Sequence, residues 1–239
     1  MSRVPTGIKG LDEMLDGGFP KGRVILLCGG PGTGKTIFSL QFLASAARMG
    51  THSVYVTLEE PVNLVRENMN EFNWNIQEKE KSNSLKLLEL HVTSYEEDFS
   101  RRRDRRDEET VLSITNKVIE AAKSIGAELL VIDPLTSIAI SETRAGNKRR
   151  KIAELFGHLR QSGYTSILTS ETTSYDGEFY MEEFLADGVI RLDKVIHNFN
   201  LIRTIRIEKM RGVEHDEQPR RYVIDKNGFS IYNTEPIKV

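Results

Sequence analysis

Gly29-Gly30-Pro31-Gly32-Thr33-Gly34-Lys35-Thr36 constrains this chain more than any other stretch. It fits G-x-x-x-x-G-K-[ST] at every fixed position, and its flanks decide what the pattern means. Arg23-Val-Ile-Leu-Leu-Cys28 before it is short, apolar and β-prone, and residues 37–47 after it carry apolar side chains at helical spacing. A strand feeding a glycine loop and then a helix is the context of a P-loop, not of an ordinary glycine-rich turn. The glycines let backbone N–H groups wrap a polyphosphate, and the helix N-terminus adds partial positive charge. In this reading Gly30, Pro31, Gly32, Thr33, Gly34, Lys35, Thr36 and Ile37 hold the phosphates. Lys35 reaches the β- and γ-phosphates, and the Thr36 hydroxyl ligates Mg2+.

The rest of the chain alternates in a way that sets the fold class. Thr6-Gly7-Ile8-Lys9-Gly10-Leu11-Asp12 opens a turn and a short amphipathic helix, which Asp16-Gly17-Gly18-Phe19-Pro20 then breaks. Residues 53–58 and 84–92 read as buried strands with a helix over 62–72 between them. A helix over 110–124 puts Val111, Ile114, Val118, Ile119 and Ala122 on one face and stops at Gly126. Strands over 127–133 and 164–170 follow, separated by a polar loop over 141–151 and a helix to about residue 162. That loop carries Arg144, Lys148, Arg149, Arg150 and Lys151. Residues 173–184 read as a second loop, with Tyr175, Phe179 and Tyr180 among acids. Residues 185–192 lead into strands over 201–210, 220–224 and 229–232, the last two joined by an Asn227-Gly228 turn. Strand–helix alternation predicts a mostly parallel central sheet flanked by helices, and the strand-only last third predicts antiparallel strands extending it. One α/β domain over 1–239 is expected, with 1–22 as N-terminal segment, 23–192 as α/β core and 193–239 as C-terminal strands.

Acids stand where such a fold places its ligands, outside the carboxyl ends of the strands. Glu59-Glu60 closes the strand over 53–58, and Asp133 closes Ala127-Glu-Leu-Leu-Val-Ile-Asp133. The latter matches a Walker B strand, whose acid would bind Mg2+ through water beside the glycine loop. The Glu59-Glu60 pair also suits a helix N-terminus, where the dipole favours acids. Arg101, Arg102, Arg103, Arg105 and Arg106 form a basic cluster, but seven acidic residues share residues 96–109, so a solvated loop is the plainer reading than a nucleic-acid contact.

Composition narrows the partners. Hydrophobic residues make up 38% and charged residues 28%, which suits a soluble globule. A net charge of −2 and a pI near 6.3 give no global pull toward nucleic acid or membrane. No apolar run of ~20 residues is present to cross a bilayer. The single cysteine, Cys28, ends the P-loop strand and reads as core rather than nucleophile. A cytoplasmic protein without a membrane partner is the expectation.

These residues resemble a family. Thr6-Gly7-Ile8-x-Gly10-Leu11-Asp12, Gly17-Gly18-Phe19-Pro20, the P-loop, Val56-Thr57-Leu58-Glu59-Glu60-Pro61 and Val131-Ile132-Asp133-Pro134-Leu135 are its first marks. Glu182-Glu183-Phe184-Leu185-Ala186-Asp187-Gly188 and Lys209-Met210-Arg211-Gly212-x-x-His215 complete them. The chain looks like a single KaiC-type domain of the RecA/RadA superfamily of P-loop ATPases over nearly its whole length. The resemblance implies ATP and ADP as ligands, Mg2+ as cofactor, and hydrolysis at the subunit interfaces of a homo-oligomeric ring, commonly a hexamer. It makes Glu59 the general base and Glu60 its acidic partner, with mutual repulsion keeping one of them basic. It sends Lys209, Arg211 and His215 into the neighbouring subunit's site as phosphate-neutralising groups. The same strand could instead be a basic edge that blocks aggregation. Asp225 is placed near adenine by its position in the family. In the two-repeat clock member, the second repeat autophosphorylates Ser and Thr where this chain has Glu183 and Phe184, so the resemblance is to the ATPase-only repeat. Two functions compete: a regulatory or signalling ATPase ring with a protein partner, or a RadA-paralogue that binds single-stranded DNA through the loops 141–151 and 173–184. The acids Asp176, Glu178, Glu182 and Glu183 in the second loop oppose a polyanion and favour the first.

Overall fold

A computed structural model describes residues 2–92, 111–140, 145–171, 181–197 and 199–232. The arginine cluster at 101–106, the loop residues 141–144 and most of the loop 173–184 lie outside the described residues.

The apolar runs form a nine-stranded sheet whose strands, in chain order, are β3 (Val24–Gly29), β4 (Ser53–Thr57), β5 (Leu85–Glu89), β6 (Leu129–Asp133), β7 (Thr165–Ser170), β8 (Gly188–His197), β9 (Asn200–Met210), β10 (Arg220–Asp225) and β11 (Gly228–Tyr232). A separate two-stranded ribbon pairs β1 (Arg3–Val4) with β2 (Phe19–Pro20). Spatial order is β11-β10-β9-β8-β3-β7-β6-β4-β5. From β8 to β5 all neighbours are parallel; from β8 to β11 they are antiparallel. β8 therefore belongs to both halves: it runs parallel to β3 on one side and antiparallel to β9 on the other.

The helices follow from the sheet's need to cover two faces. Every residue of β3, β4, β6 and β7 is buried. Alternation along β3 sends Ile25 and Leu27 into one core and Val24, Leu26 and Cys28 into the other. The first core is closed by α1 (Leu11–Met14), α2 (Lys35–Arg48), α3 (Val62–Met69) and α4 (Ile76–Lys81). The second is closed by α5 (Val111–Ile125), α6 (Leu135–Ile140) and α7 (Ala145–Gln161), with the short α8 (Met181–Leu185) beside α7.

The antiparallel strands clamp the glycine loop from the side. Tyr222 on β10 donates its hydroxyl to the Thr33 carbonyl at 2.6 Å. Phe229 on β11 stacks on Tyr222 with centroids 4.2 Å apart and meets Phe38 edge-on at 5.3 Å. Gln41 on α2 pairs with the Phe229 backbone at both ends, donating to its carbonyl at 3.0 Å and accepting its N–H at 2.6 Å. Gly34, at φ 96°, begins α2 where a Cβ would lie 2.4 Å from the Ile224 Cδ1 atom. Only glycine offers both that backbone conformation and that clearance.

Four expectations change. The helix expected over 62–72 stops at Met69, and a second one, α4, starts after Asn75 at φ 52°; between them Phe72 and Trp74 stack at 4.4 Å. Residues 145–151, expected as loop, are the first turns of α7, because Ala, Lys and Arg are strong helix formers and Arg150 pairs with Glu154 one turn on at 3.8 Å. Glu182 and Glu183, expected in an open loop, are buried on α8. The strand pairing at Asp225↔Gly228 also makes Lys226-Asn227 the two-residue turn, one position earlier than expected.

Phe229 is buried and packs two aromatic rings, so Phe229→Ala should cost about 3–5 kcal/mol by removing a large side chain from a filled core. A urea titration followed by the fluorescence of Trp74, the single tryptophan, reads the shift in midpoint.

Candidate nucleotide site

The carboxyl ends of β3, β4, β6 and β7 converge on a cleft of about 320 Å³. The glycine loop forms one wall; Tyr55, Glu59, Glu60, Asp133 and Glu171 line the rest. The loop runs from the last residue of β3 to the first turn of α2, so Lys35 and Thr36 open the helix with their side chains at the cleft. Lys35 Nζ donates to the carbonyls of Gly29 at 2.9 Å and Gly30 at 3.2 Å and stands 3.8 Å from the Glu171 carboxylate. Burial pulls the Lys35 pKa below the usual ammonium range, and the charges of Glu171 and Asp133 oppose that shift.

Asp133 is the hub. Its Oδ2 accepts the Thr36 hydroxyl at 2.7 Å and the Tyr55 hydroxyl at 2.7 Å, and its Oδ1 accepts the Thr169 hydroxyl. One carboxylate thus joins α2, β4, β6 and β7. Burial, then the Asp133 charge, push the Tyr55 hydroxyl well above the usual phenol range, so it stays a donor. Among the described residues no group of three or more His, Cys, Asp or Glu gathers as a metal cage. The Thr36 hydroxyl and the Asp133 carboxylate are hard oxygen donors side by side, a set that fits Mg2+, which takes few protein ligands and keeps water and phosphate for the others.

Glu59 and Glu60 both line the cleft but are held differently. Glu59 accepts the Ser137 hydroxyl from α6. Glu60 accepts Asn68 Nδ2 at 2.7 Å, and its backbone N–H and carbonyl are both tied to the Thr57 hydroxyl, at 3.0 and 2.7 Å. The Glu60 carboxyl is raised above the usual range by burial first and by the Asp133 charge second. The causes of that shift are these two, and repulsion from the adjacent acid is not among them.

Lys209, Arg211, His215 and Asp225 do not line this cleft. Arg211 lies beside Asp187, 3.9 Å from its carboxylate, and the Asp187 N–H donates to the Val24 carbonyl at the start of β3. The glycine loop leaves the other end of that strand, roughly 20 Å away at strand rise. Lys209 Nζ donates to the carbonyls of Glu183, Ala186 and Phe184 at 2.9, 2.6 and 3.3 Å. Burial and the nearby Arg211 charge lower its pKa. His215 follows the Gly212 turn; its Nδ1 lies 3.2 Å from the Val213 carbonyl and its Nε2 3.8 Å from Glu217. Asp225 accepts the Asn227 N–H at 2.7 Å and lines a second cavity of about 410 Å³ with Gln41, Arg48 and Trp74.

Sequence reasoning missed four residues at the site. Tyr55 is in the middle of β4 and Thr169 is next to last in β7, and only the need of a buried hydroxyl for a partner hints at a role for either. Glu171 stood at a strand's carboxyl end, which was signal enough. Lys194 donates to the Pro31 carbonyl at 3.1 Å from β8, and no local pattern announces it.

A glycine loop between a central parallel strand and its helix, with an acid hub on a nearby strand, defines a P-loop α/β protein. The sequence profile of the family described as "ATPase: KaiC" matches residues 4–236, and the chain belongs to that family. It is 34% identical to a UPF0273 protein of Aeropyrum pernix over 100% of this chain and 97% of that one. It is 32% identical to the circadian clock protein KaiC3 of Synechocystis, matching 100% of this chain but 47% of that protein. A solved KaiC-like protein of the hyperthermophilic archaeon Pyrococcus horikoshii superposes with a TM-score of 0.83 at 34% identity, over 97% of this chain and 99% of that one. The fold is thus the RecA-like fold of single-domain KaiC-like proteins. No helix among the described residues is long and apolar enough to cross a membrane.

Glu60 holds its proton more tightly in the folded chain than in the unfolded one, so the folded state binds more protons above the usual carboxylate range. Its contribution to stability is complete at low pH and is lost as pH rises through the raised value. Urea midpoints from about pH 4 to 7 should therefore fall less steeply in Glu60→Gln than in the parent.

Proposed function

We propose that this chain binds ATP with Mg2+ and hydrolyses it slowly at interfaces between copies of itself in a ring, acting as a regulatory module. One observation carries the reading: the P-loop, the Asp133 hub and the paired acids share a cleft, while the basic strand end lies at the far end of β3. That distance from their own cleft supports a role for Lys209 and Arg211 in another copy's cleft.

In this mechanism Lys35 and the loop amides hold the β- and γ-phosphates. Thr36 and Asp133 would hold Mg2+, which neutralises phosphate charge when bound. Glu59 accepts a proton as water oxygen bonds to the γ-phosphorus and the bond to the ADP oxygen breaks. Glu60 keeps a second acid beside that water, and Ser137 orients Glu59. Arg211 is the freer of the two trans cations. It has one carbonyl at 3.3 Å and a carboxylate at 3.9 Å, whereas Lys209 is tied to three carbonyls. Arg211 therefore meets the neighbour's γ-phosphate, Lys209 fixes the turn that presents it, and His215 supports the following segment. Asp225 serves the base end of the nucleotide only if the ligand extends past Ile37 toward the β10–β11 turn. Glu183 and Phe184 supply no hydroxyl for autophosphorylation.

The single-stranded DNA reading is weaker. Two cations of its basic segment are paired on or near α7: Lys148 with the buried Glu182 at 3.5 Å, and Arg150 with Glu154.

Lys35→Ala should abolish binding of ATP and ADP, measured by calorimetry; retained affinity would remove the cleft from the proposal. Glu59→Gln should bind ATP normally yet lose at least about 100-fold in turnover, the scale of a missing general base. Arg211→Ala should be inactive alone and regain activity when mixed with Glu59→Gln, because a mixed interface can combine an intact cleft with an intact finger. Mixtures no more active than their parts would argue against action in trans.

A further inference from the structure

We infer that Lys194 is a second phosphate-directed cation of the cleft, supplied by the same chain, and that it reads the terminal phosphate so that triphosphate is held more tightly than diphosphate. The inference rests on the ATP reading above.

Strand register puts Lys194 there. β3 ends at Gly29, opposite Leu192, but β8 continues to His197 along β9, so on the β3 side Lys194 meets the glycine loop instead of a strand. Side chains two apart on a strand share a face. Lys194 therefore shares the face of Leu192, which packs in the core on the α2 side. That is the side onto which the loop folds. Its Nζ donates to the Pro31 carbonyl at 3.1 Å, and a Cβ on Gly32 would lie 2.9 Å from that Nζ. Two ammonium groups thus bracket the loop: Lys35 from within, on the Gly29 and Gly30 carbonyls, and Lys194 from outside, over Pro31 and Gly32.

The partner of Lys194 is a neutral carbonyl, and among the described residues no carboxylate lies within ion-pair distance of it. A phosphate oxygen carries a formal negative charge where the carbonyl carries only a partial one, so Coulomb attraction draws the ammonium more strongly to the phosphate. A phosphate oxygen arriving at the rim therefore outcompetes the Pro31 carbonyl. The flexible four-carbon stem, already in contact with solvent, lets the ammonium follow it. Lys35 and the loop amides already enclose the inner phosphates. The charge left facing the rim is that of the last phosphate, present in the triphosphate and missing from the diphosphate.

The test measures affinities of a non-hydrolysable ATP analogue and of ADP, with Mg2+ at fixed salt, for the full chain and for Lys194→Ala, Lys194→Gln and Lys194→Arg. Lys194→Gln keeps a donor for the Pro31 carbonyl and removes only the charge. Both Lys194→Ala and Lys194→Gln should weaken the triphosphate analogue about ten-fold and change ADP by less than about two-fold, and Lys194→Arg should recover most of the loss. Equal losses for both nucleotides, or none for either, would overturn the inference. Lys35→Ala run alongside separates the two levels: it must lose both nucleotides, and if it keeps them the cleft reading fails first.

Discussion

The structure depends on a carboxylate that is buried but never left unpaired. Asp133 is 7% exposed, and a carboxylate taken that far from water needs hydrogen bonds to stay in place. Three hydroxyls provide them, from α2, β4 and β7. Each donor sits on a different element, so satisfying one acid also fixes the mutual position of the four elements that build the cleft. Thr36 is the important member. Its hydroxyl belongs to the glycine loop's helix, so the loop is registered against the sheet by the same group that offers oxygens to a cation. Loss of that acid would release the cleft's geometry and, in the proposed mechanism, remove an oxygen donor for Mg2+ at the same time.

The antiparallel third of the chain does comparable work from the other side. A P-loop is rich in glycine and would otherwise be free to collapse. Tyr222 holds the Thr33 carbonyl, Ile224 fills the space over Gly34, and Phe229 locks β11 to α2 through Gln41. The strands that look least related to the chemistry thus fix the backbone whose N–H groups must point inward.

Most of this was legible where chemistry is local. The glycine loop, Thr36 and Asp133 declare themselves because a motif fixes their spacing and a strand end fixes their place. The parallel-then-antiparallel order follows from where helices stop interrupting the strands. What stayed hidden depends on register between distant segments. Tyr55 meets Asp133 only because β4 lies beside β6, and Lys194 meets Pro31 only because β8 outruns β3. The start of α7 was hidden for another reason. A run of Lys and Arg reads as solvated loop by charge but as helix by propensity, and a pairing with Glu154 lets propensity win. Glu182 and Glu183 failed likewise: their burial is made tolerable by Lys148 and by Arg191, which is bonded to Glu183 at 2.7 Å from the strand that follows α8.

Charge explains why such a site would be shared between copies. Four carboxylates line the cleft, Glu59, Glu60, Asp133 and Glu171, against the single ammonium of Lys35. Those four carboxylates oppose the attraction that Lys35 and the loop amides offer a nucleoside triphosphate. Burial first, and the Asp133 charge second, push the Glu60 carboxyl toward its neutral form. Binding then requires positive charge from outside the lining: a divalent ion on Thr36 and Asp133, an ammonium at the rim, and in the proposed ring the Arg211 of the next copy. In the proposed ring, each carboxylate of the lining adds to the demand for cations, and that demand would couple nucleotide binding to assembly. By reciprocity, a nucleotide that recruits the neighbour's arginine also strengthens the contact between copies by the same free energy.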